Sequence, residues 1–101
     1  MAERKTHNLI DEVIHQRTRL AIMATLAGVE NLGFGEIKAE LGLTDGNLSA
    51  HLAALEQAGY VKIRKSFKGR KPQTTLSITA KGRKALEKYV NRLQEILNKA
   101  R

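Results

Sequence analysis

The sequence predicts a mainly helical domain with one β-hairpin, an α+β arrangement, and three observations carry that expectation. Apolar residues recur at three- and four-residue intervals over most of the 101-residue chain. Between Val61 and Thr79 the period changes to two. Gly28, Gly42 and Gly59 stand where the periodic runs stop.

From Leu9 to Ala27 the spacing is helical, with a break near Gln16–Arg17 that would divide it into two helices. "NLGFGEI" reads as a loop or a very short strand. "GEIKAELG" then reads as a short helix with Ile37 and Leu41 inward, closed by Gly42. Asp45-Gly46 would suit a hairpin turn, but Leu48, Leu52 and Leu55 follow at helical spacing. The segment is therefore a helix, with Thr44 as its N-cap, Asp45 at the positive end of its dipole and Gly59 just past its end.

"VKIRKSF" places Val61, Ile63 and Phe67 on one strand face, with Lys62 and Arg64 on the other and Lys65 sharing the apolar side. "TLSIT" alternates likewise through Leu76 and Ile78. A common apolar face requires Val61 opposite Ile78 and Ile63 opposite Leu76, because a one-residue slip would turn one face outward. That register puts Phe67 opposite Pro72 and leaves Lys68-Gly69-Arg70-Lys71 as a four-residue loop. From Thr79 helical periodicity returns through Leu86, Tyr89, Val90, Leu93, Ile96 and Leu97, over roughly 20 residues or ~30 Å.

The length fits a single domain, residues 1–101, with a core built mostly from Leu, Ile, Val and Ala because only four residues are aromatic. There is no cysteine, which excludes disulfides, thiolate metal sites and a Cys nucleophile. The longest nearly apolar run, Leu20 to Val29, is too short to span a bilayer, so a soluble cytoplasmic protein is expected and no membrane partner. Charge is unevenly placed: the net value is +8, and no acidic residue falls between Glu56 and Glu87. Clustered cations repel one another, and such a field implies a polyanionic partner.

A short helix, the tight turn Gly42-Leu43-Thr44 and a second helix make a helix-turn-helix over about residues 34–58. With Leu48 at the buried centre of the second helix, Gly46, Ala50, Ala53 and Gln57 face outward, flanked by Asn47, Ser49 and Ala54. Small residues permit close approach to a groove floor, and Asn47 and Ser49 can bond bases or phosphates. A hairpin over about 61–78 with a cationic tip follows at once, which makes this a winged helix. Arg64, Lys65, Lys68, Arg70 and Lys71 are the candidates for phosphate or minor-groove contact, and Gly69 keeps the tip narrow. The C-terminal helix, about 79–98, outruns the domain and needs another apolar surface. Either the Leu9–Ile14 segment covers it or a second copy does; the dimer reading uses Leu9, Ile10, Val13, Leu86, Tyr89, Val90, Leu93, Ile96 and Leu97.

"RLAIMATLAG" and the stretch from "FGEIKAELGLTDGNLSAHL" through "KGRKPQTTLSITAKGRKALEKYV" resemble the winged-helix transcriptional regulators related to the MarR and ArsR families, over about residues 19–90. One departure is Ile78, where the family pattern has leucine. The resemblance implies that "TDGNLSAHL" lies in the recognition helix, with Thr44, Asp45, Gly46, Asn47, Ser49, Ala50 and His51 facing the major groove. It implies Arg70 as the wing-tip arginine, and Gly82 as a point of close packing beneath the wing. It further implies a homodimer on a pseudo-palindromic double-stranded DNA operator; a repressor is the expected role, although the sequence itself does not separate repression from activation. ArsR-type metal sensors use cysteines that this chain lacks, and its short flanking helices argue against the effector pocket of longer MarR-type proteins.

No nucleophile, base and orienting group can be assembled, so an enzyme is not expected, and neither is a cofactor. His7, His15 and His51 are too scattered to suggest a metal site. The second "KGRK", at 81–84, falls in the first turn of a helix, where cations oppose the dipole; phosphate contact would offset that cost. The alternative to a sequence-specific regulator is a winged-helix module that binds RNA, DNA without sequence preference, or another protein.

Overall fold

The computed structural model describes residues 10–100, and Leu9 and His7 lie outside them. The elements run α1 (Arg17–Ala27), β1 (Leu32–Gly33), α2 (Phe34–Leu41), α3 (Asp45–Gln57), β2 (Val61–Lys68), β3 (Lys71–Ile78) and α4 (Ala80–Lys99). Ile22, Met23 and Leu26 of α1, Ile37 of α2, and Leu48, Leu52 and Leu55 of α3 close a core with Ile14, Val61, Leu76 and Tyr89. These are the positions that the helical and strand periods point inward.

The break at Gln16–Arg17 is where α1 begins, with the Gln16 side chain accepting from the Arg19 N–H at 2.8 Å. The described residues before it do not form the second helix that the spacing suggests. Asp11 explains why: its carboxylate accepts from the N–H groups of Val13 (2.9 Å) and Ile14 (3.3 Å), giving the backbone a turn in place of a helix. The Asp11 carbonyl also accepts from the His15 N–H at 2.8 Å, and the turn carries Ile14 into the core.

Gly42, at φ 65°, closes α2, and the Leu43 N–H returns to the Lys38 carbonyl at 3.0 Å. Thr44 then caps α3, its hydroxyl accepting from the Asn47 N–H at 3.1 Å. Gly59, at φ 81°, reverses the chain after α3, with the Tyr60 N–H bonded back to Leu55 at 2.9 Å.

The three strands are antiparallel in the order β1-β3-β2. Val61 pairs with Ile78, Ile63 with Leu76 and Phe67 with Pro72, the register that the apolar alternation requires. The loop is shorter than expected. Lys68 pairs with Lys71, so only Gly69 and Arg70 turn the chain, with glycine at φ 65° in the first central position. A ladder needs no apolar side chains to continue, and this one runs past the core to the last possible pair. Phe67 and Pro72 fall at a non-hydrogen-bonded pair, counting by alternation from that turn, and β1 reaches only Leu76 and Thr75. The missing N–H of Pro72 therefore breaks no ladder bond.

Helix α4 spans 20 residues and starts at the Thr79 cap. Its hydroxyl accepts from the Gly82 N–H at 2.9 Å and donates to the Gly59 carbonyl at 2.6 Å, fixing the helix against the end of α3. Tyr89 is 4% exposed and shares a 2.9 Å hydrogen bond with His15 Nδ1. It belongs to the core of this chain, whereas Val90 and Leu97, one heptad apart, are 51% and 53% exposed.

Candidate nucleic-acid interface

The turn and caps around residues 42–44 hold α3 with its leucines inward, which fixes what it shows outward. Asp45, Gly46, Asn47, Ser49, Ala50, Ala53 and Gln57 are exposed, and His51 is half-buried at the margin. Thr44 is exposed too, though its hydroxyl already serves the Asn47 N–H. Asp45 would repel a phosphate, but its carboxylate lies 2.8 Å from Lys38 Nζ of α2. That pair is solvent-exposed and adds little stability, about 1 kcal/mol or less. It does balance the one negative charge in the first turn of α3.

The wing cations divide by strand face. Val61, Ile63, Lys65 and Phe67 share one face, opposite Ile78, Leu76, Thr74 and Pro72; Lys62, Arg64, Ser66 and Lys68 share the other. Val61 is buried and Ile63 half-buried, since the first face packs on the core beside α3. Beyond them an open cleft of about 340 Å³ separates helix from wing, lined by Ser49, Ala53 and Glu56 on one side and Ile63, Lys65 and Thr74 on the other. Arg64 lies on the far face, in a pocket shared with Glu30, Asn31 and Lys62. Lys68, Gly69, Arg70 and Lys71 are exposed at the tip. Among the described residues none of these cations is held in an ion pair.

Phe67 departs from the sequence expectation, which places it on a buried apolar face. The face is right, but the core ends at Ile63, and the Phe67 side chain is 74% exposed. The signal in the sequence is its position beyond the last core pair, with cations on both sides.

The second "KGRK" has structural partners. Arg83 Nη1 donates to the Ala27 carbonyl at 3.0 Å, where a cation favours the C-terminus of α1. Lys81 Nζ lies 5.9 Å from the centre of the Tyr60 ring. Tyr60 itself joins α3, β2, α4 and the N-terminal turn, its hydroxyl donating to the Asp11 carboxylate. Burial, then the hydrogen bond to Asp11 and its negative charge, push the Tyr60 hydroxyl up to about 12.

Among the described residues no cluster of His, Asp or Glu could hold a metal ion, and no helix is long and apolar enough to cross a membrane. A family model described as a winged helix DNA-binding domain matches residues 18–97. The chain belongs to that family. This winged helix is 36% identical over 85 residues to an uncharacterized protein of Methanocaldococcus jannaschii, covering 84% of this chain and 92% of that one. A solved transcriptional regulator homologue from Pyrococcus horikoshii OT3 superposes with a TM-score of 0.87 at 30% identity, over 99% of this chain and 98% of that one. The YusO protein of Bacillus subtilis shares the fold, with a TM-score of 0.73 at 18% identity over 98% of this chain and 72% of its own. The family binds DNA and is not one of enzymes.

Proposed function

We propose that this winged helix is a sequence-specific transcriptional regulator that binds double-stranded DNA as a homodimer on a pseudo-palindromic operator. The observation that carries the reading is the pairing of an exposed, almost uncharged face on α3 with a wing whose cations, among the described residues, are held in no ion pair. In this reading Thr44, Asp45, Gly46, Asn47, Ser49, Ala50 and His51 face the major groove. Base edges are read chiefly by Asn47 and Ser49, and Gly46 and Ala50 allow the helix to come close. Lys65, Lys68, Arg70 and Lys71 meet phosphates or the minor groove across the narrow Gly69 turn, and Arg64 meets a phosphate from the outer face.

Dimerisation is supported by the exposed Val90 and Leu97 on α4, flanked by half-buried Leu86, Leu93 and Ile96. Tyr89 is consumed by its own core, whereas Ile10, Val13, Leu86 and Leu93 are half-buried against that core and keep part of their surface for a second copy. Two copies would place their α3 helices in successive major grooves, with half-site centres about 34–36 Å apart. Repression is the mode proposed, because occupying an operator asks nothing of the protein beyond this surface. A DNA partner and a chain without cysteine fit a cytoplasmic protein.

Selection from a pool of random duplex DNA, with a mass measurement of the complex, tests the proposal. One recovered inverted repeat bound by two copies is the expected result. Salt-sensitive binding with no preferred sequence, or tighter binding to RNA, would replace it with a general nucleic-acid clamp.

A further inference from the structure

Phe67 is the most exposed of the large apolar side chains among the described residues, at 74%, and Pro72 opposite it is exposed as well. An aromatic ring left mostly in water between Lys65, Lys68, Arg70 and Lys71 adds nothing to the buried core and has only Pro72 as a ladder partner. We infer that Phe67 is a DNA-contact residue that packs its ring on the deoxyriboses lining the minor groove. The inference rests on the function proposed above.

Geometry selects the sugar over the bases. Phe67 stands two residues before Gly69, a distance of about 7 Å along the strand. The minor groove is about 7.5 Å deep, so a wing tip that reaches its floor brings Phe67 level with the rim. Side chains stand roughly perpendicular to a sheet, which turns the ring sideways to the groove wall and not down into the base stack. The face it shares with Val61, Ile63 and Lys65 is the one turned towards α3. With α3 in the major groove and the tip in the adjacent minor groove, the strand running between them is the backbone that separates the two grooves. The cleft between helix and wing, open and edged by Ser49, Lys65 and Thr74 with Glu56 on its α3 side, lies along that path. Lys65 would meet its phosphates and Phe67 its sugars. The surrounding charge argues for this occupant over an apolar protein surface, which would have to desolvate four cations to reach one ring.

The contact is apolar, so it is independent of counterions, unlike the rest of the wing. The test uses Phe67→Ala and Phe67→Leu in the full chain, on the duplex recovered by random selection, over a series of salt concentrations. Burying most of a phenyl ring corresponds to an affinity loss of roughly tenfold or more for the alanine variant. The leucine variant should keep most of the affinity, and the slope of log K against log[salt] should be unchanged in both. Hydroxyl-radical cleavage, which attacks deoxyribose, should gain access to sugars at the minor-groove rim in Phe67→Ala alone. Melting temperatures should match the parent, because the ring lies outside the core. Unchanged affinity and protection in Phe67→Ala would overturn the inference, as would a shift in the salt slope or a lower solution mass. Failure of the parent chain to bind any duplex would instead remove the function on which it rests.

Discussion

Gly82 and Tyr60 pass so closely that a Cβ built on Gly82 would lie 2.2 Å from the Tyr60 carbonyl oxygen and 2.9 Å from its carbon. Both atoms are backbone, and the same oxygen already accepts from the Thr79 N–H at 3.0 Å, so neither can move aside. The first turn of α4 is thereby pressed against the junction between α3 and the wing.

Gly82→Ala should accordingly destabilise the fold by about 2 kcal/mol, although alanine is the better helix former by ~1 kcal/mol. Gly46, also helical, has nothing within 4 Å of a built Cβ. Gly46→Ala should leave stability equal or raise it by up to ~1 kcal/mol, yet weaken DNA binding by holding α3 off the groove floor. Urea unfolding of both variants, with DNA titration of the second, checks the contrast.

Tyr60 provides a pH test. Its hydroxyl is pushed up to about 12 by burial first, and then by its hydrogen bond to Asp11 and that carboxylate's charge. An unfolded tyrosine ionises near 10, so between about pH 10 and 12 the native state holds a proton that the unfolded state has lost. The stability that this proton contributes is complete below pH 10 and disappears as pH rises through that window. A late phenolate absorbance step near pH 12 should be present in the parent and absent in Tyr60→Phe. Asp11→Asn should bring the step to lower pH without returning it fully to 10, because burial is the largest cause.

The wing and α3 should fail in different ways. Replacing Lys68, Arg70 and Lys71 together with Ala should weaken binding to every sequence and flatten the salt dependence, by about 0.9 in slope for each phosphate left unneutralised. Asn47→Ala should leave that slope in place and relax base preference at one position, with a discrimination loss of about 1–3 kcal/mol. Fluorescence anisotropy over a salt series, on the selected duplex and on single-base variants of it, separates the two. Identical behaviour of both variants would remove the division of roles.

What the sequence reveals depends on whether the deciding interactions are local. The pairing of Val61 with Ile78 and Ile63 with Leu76 is legible because alternation allows only one register that keeps both strands' apolar residues inside. The same logic falls silent beyond Ile63. Lys68 and Lys71 carry no apolar signal, so the last ladder pair reads as loop, and alternation assigns Phe67 to a core that stops short of it. Asp11 has the sequence setting of a helix-surface acid, whereas its carboxylate holds a turn and a tyrosine hydroxyl from position 60. Tyr89 and Val90 are adjacent in one apolar stripe, and only the long-range partner His15 shows that the tyrosine turns inward and the valine outward. Arg83 likewise gains its role from Ala27, 56 residues away.

That division within α4 leads to the sharpest test of the dimer. Val90 and Leu97 are about half exposed, so their removal forms no cavity and Val90→Lys with Leu97→Lys should cost the isolated fold little, within ~0.5 kcal/mol. A symmetric interface, however, brings each residue near its own copy or its neighbour's, so a lysine on one protomer is repeated on the other. The double variant should sediment as a monomer with a native far-UV spectrum and an unchanged melting temperature at low protein concentration. Tyr89→Phe is the control: it removes the hydrogen bond to His15 and lowers stability by about 1 kcal/mol, but leaves the dimer mass unaltered. On DNA, the monomeric double variant should still occupy a single half-site through α3 and the wing. It should lose the gain of about 100-fold or more that linking two half-sites supplies. A parent that sediments as a monomer would remove the proposed dimer, and a double variant that keeps a dimeric parent's mass would place the contact on a surface other than α4.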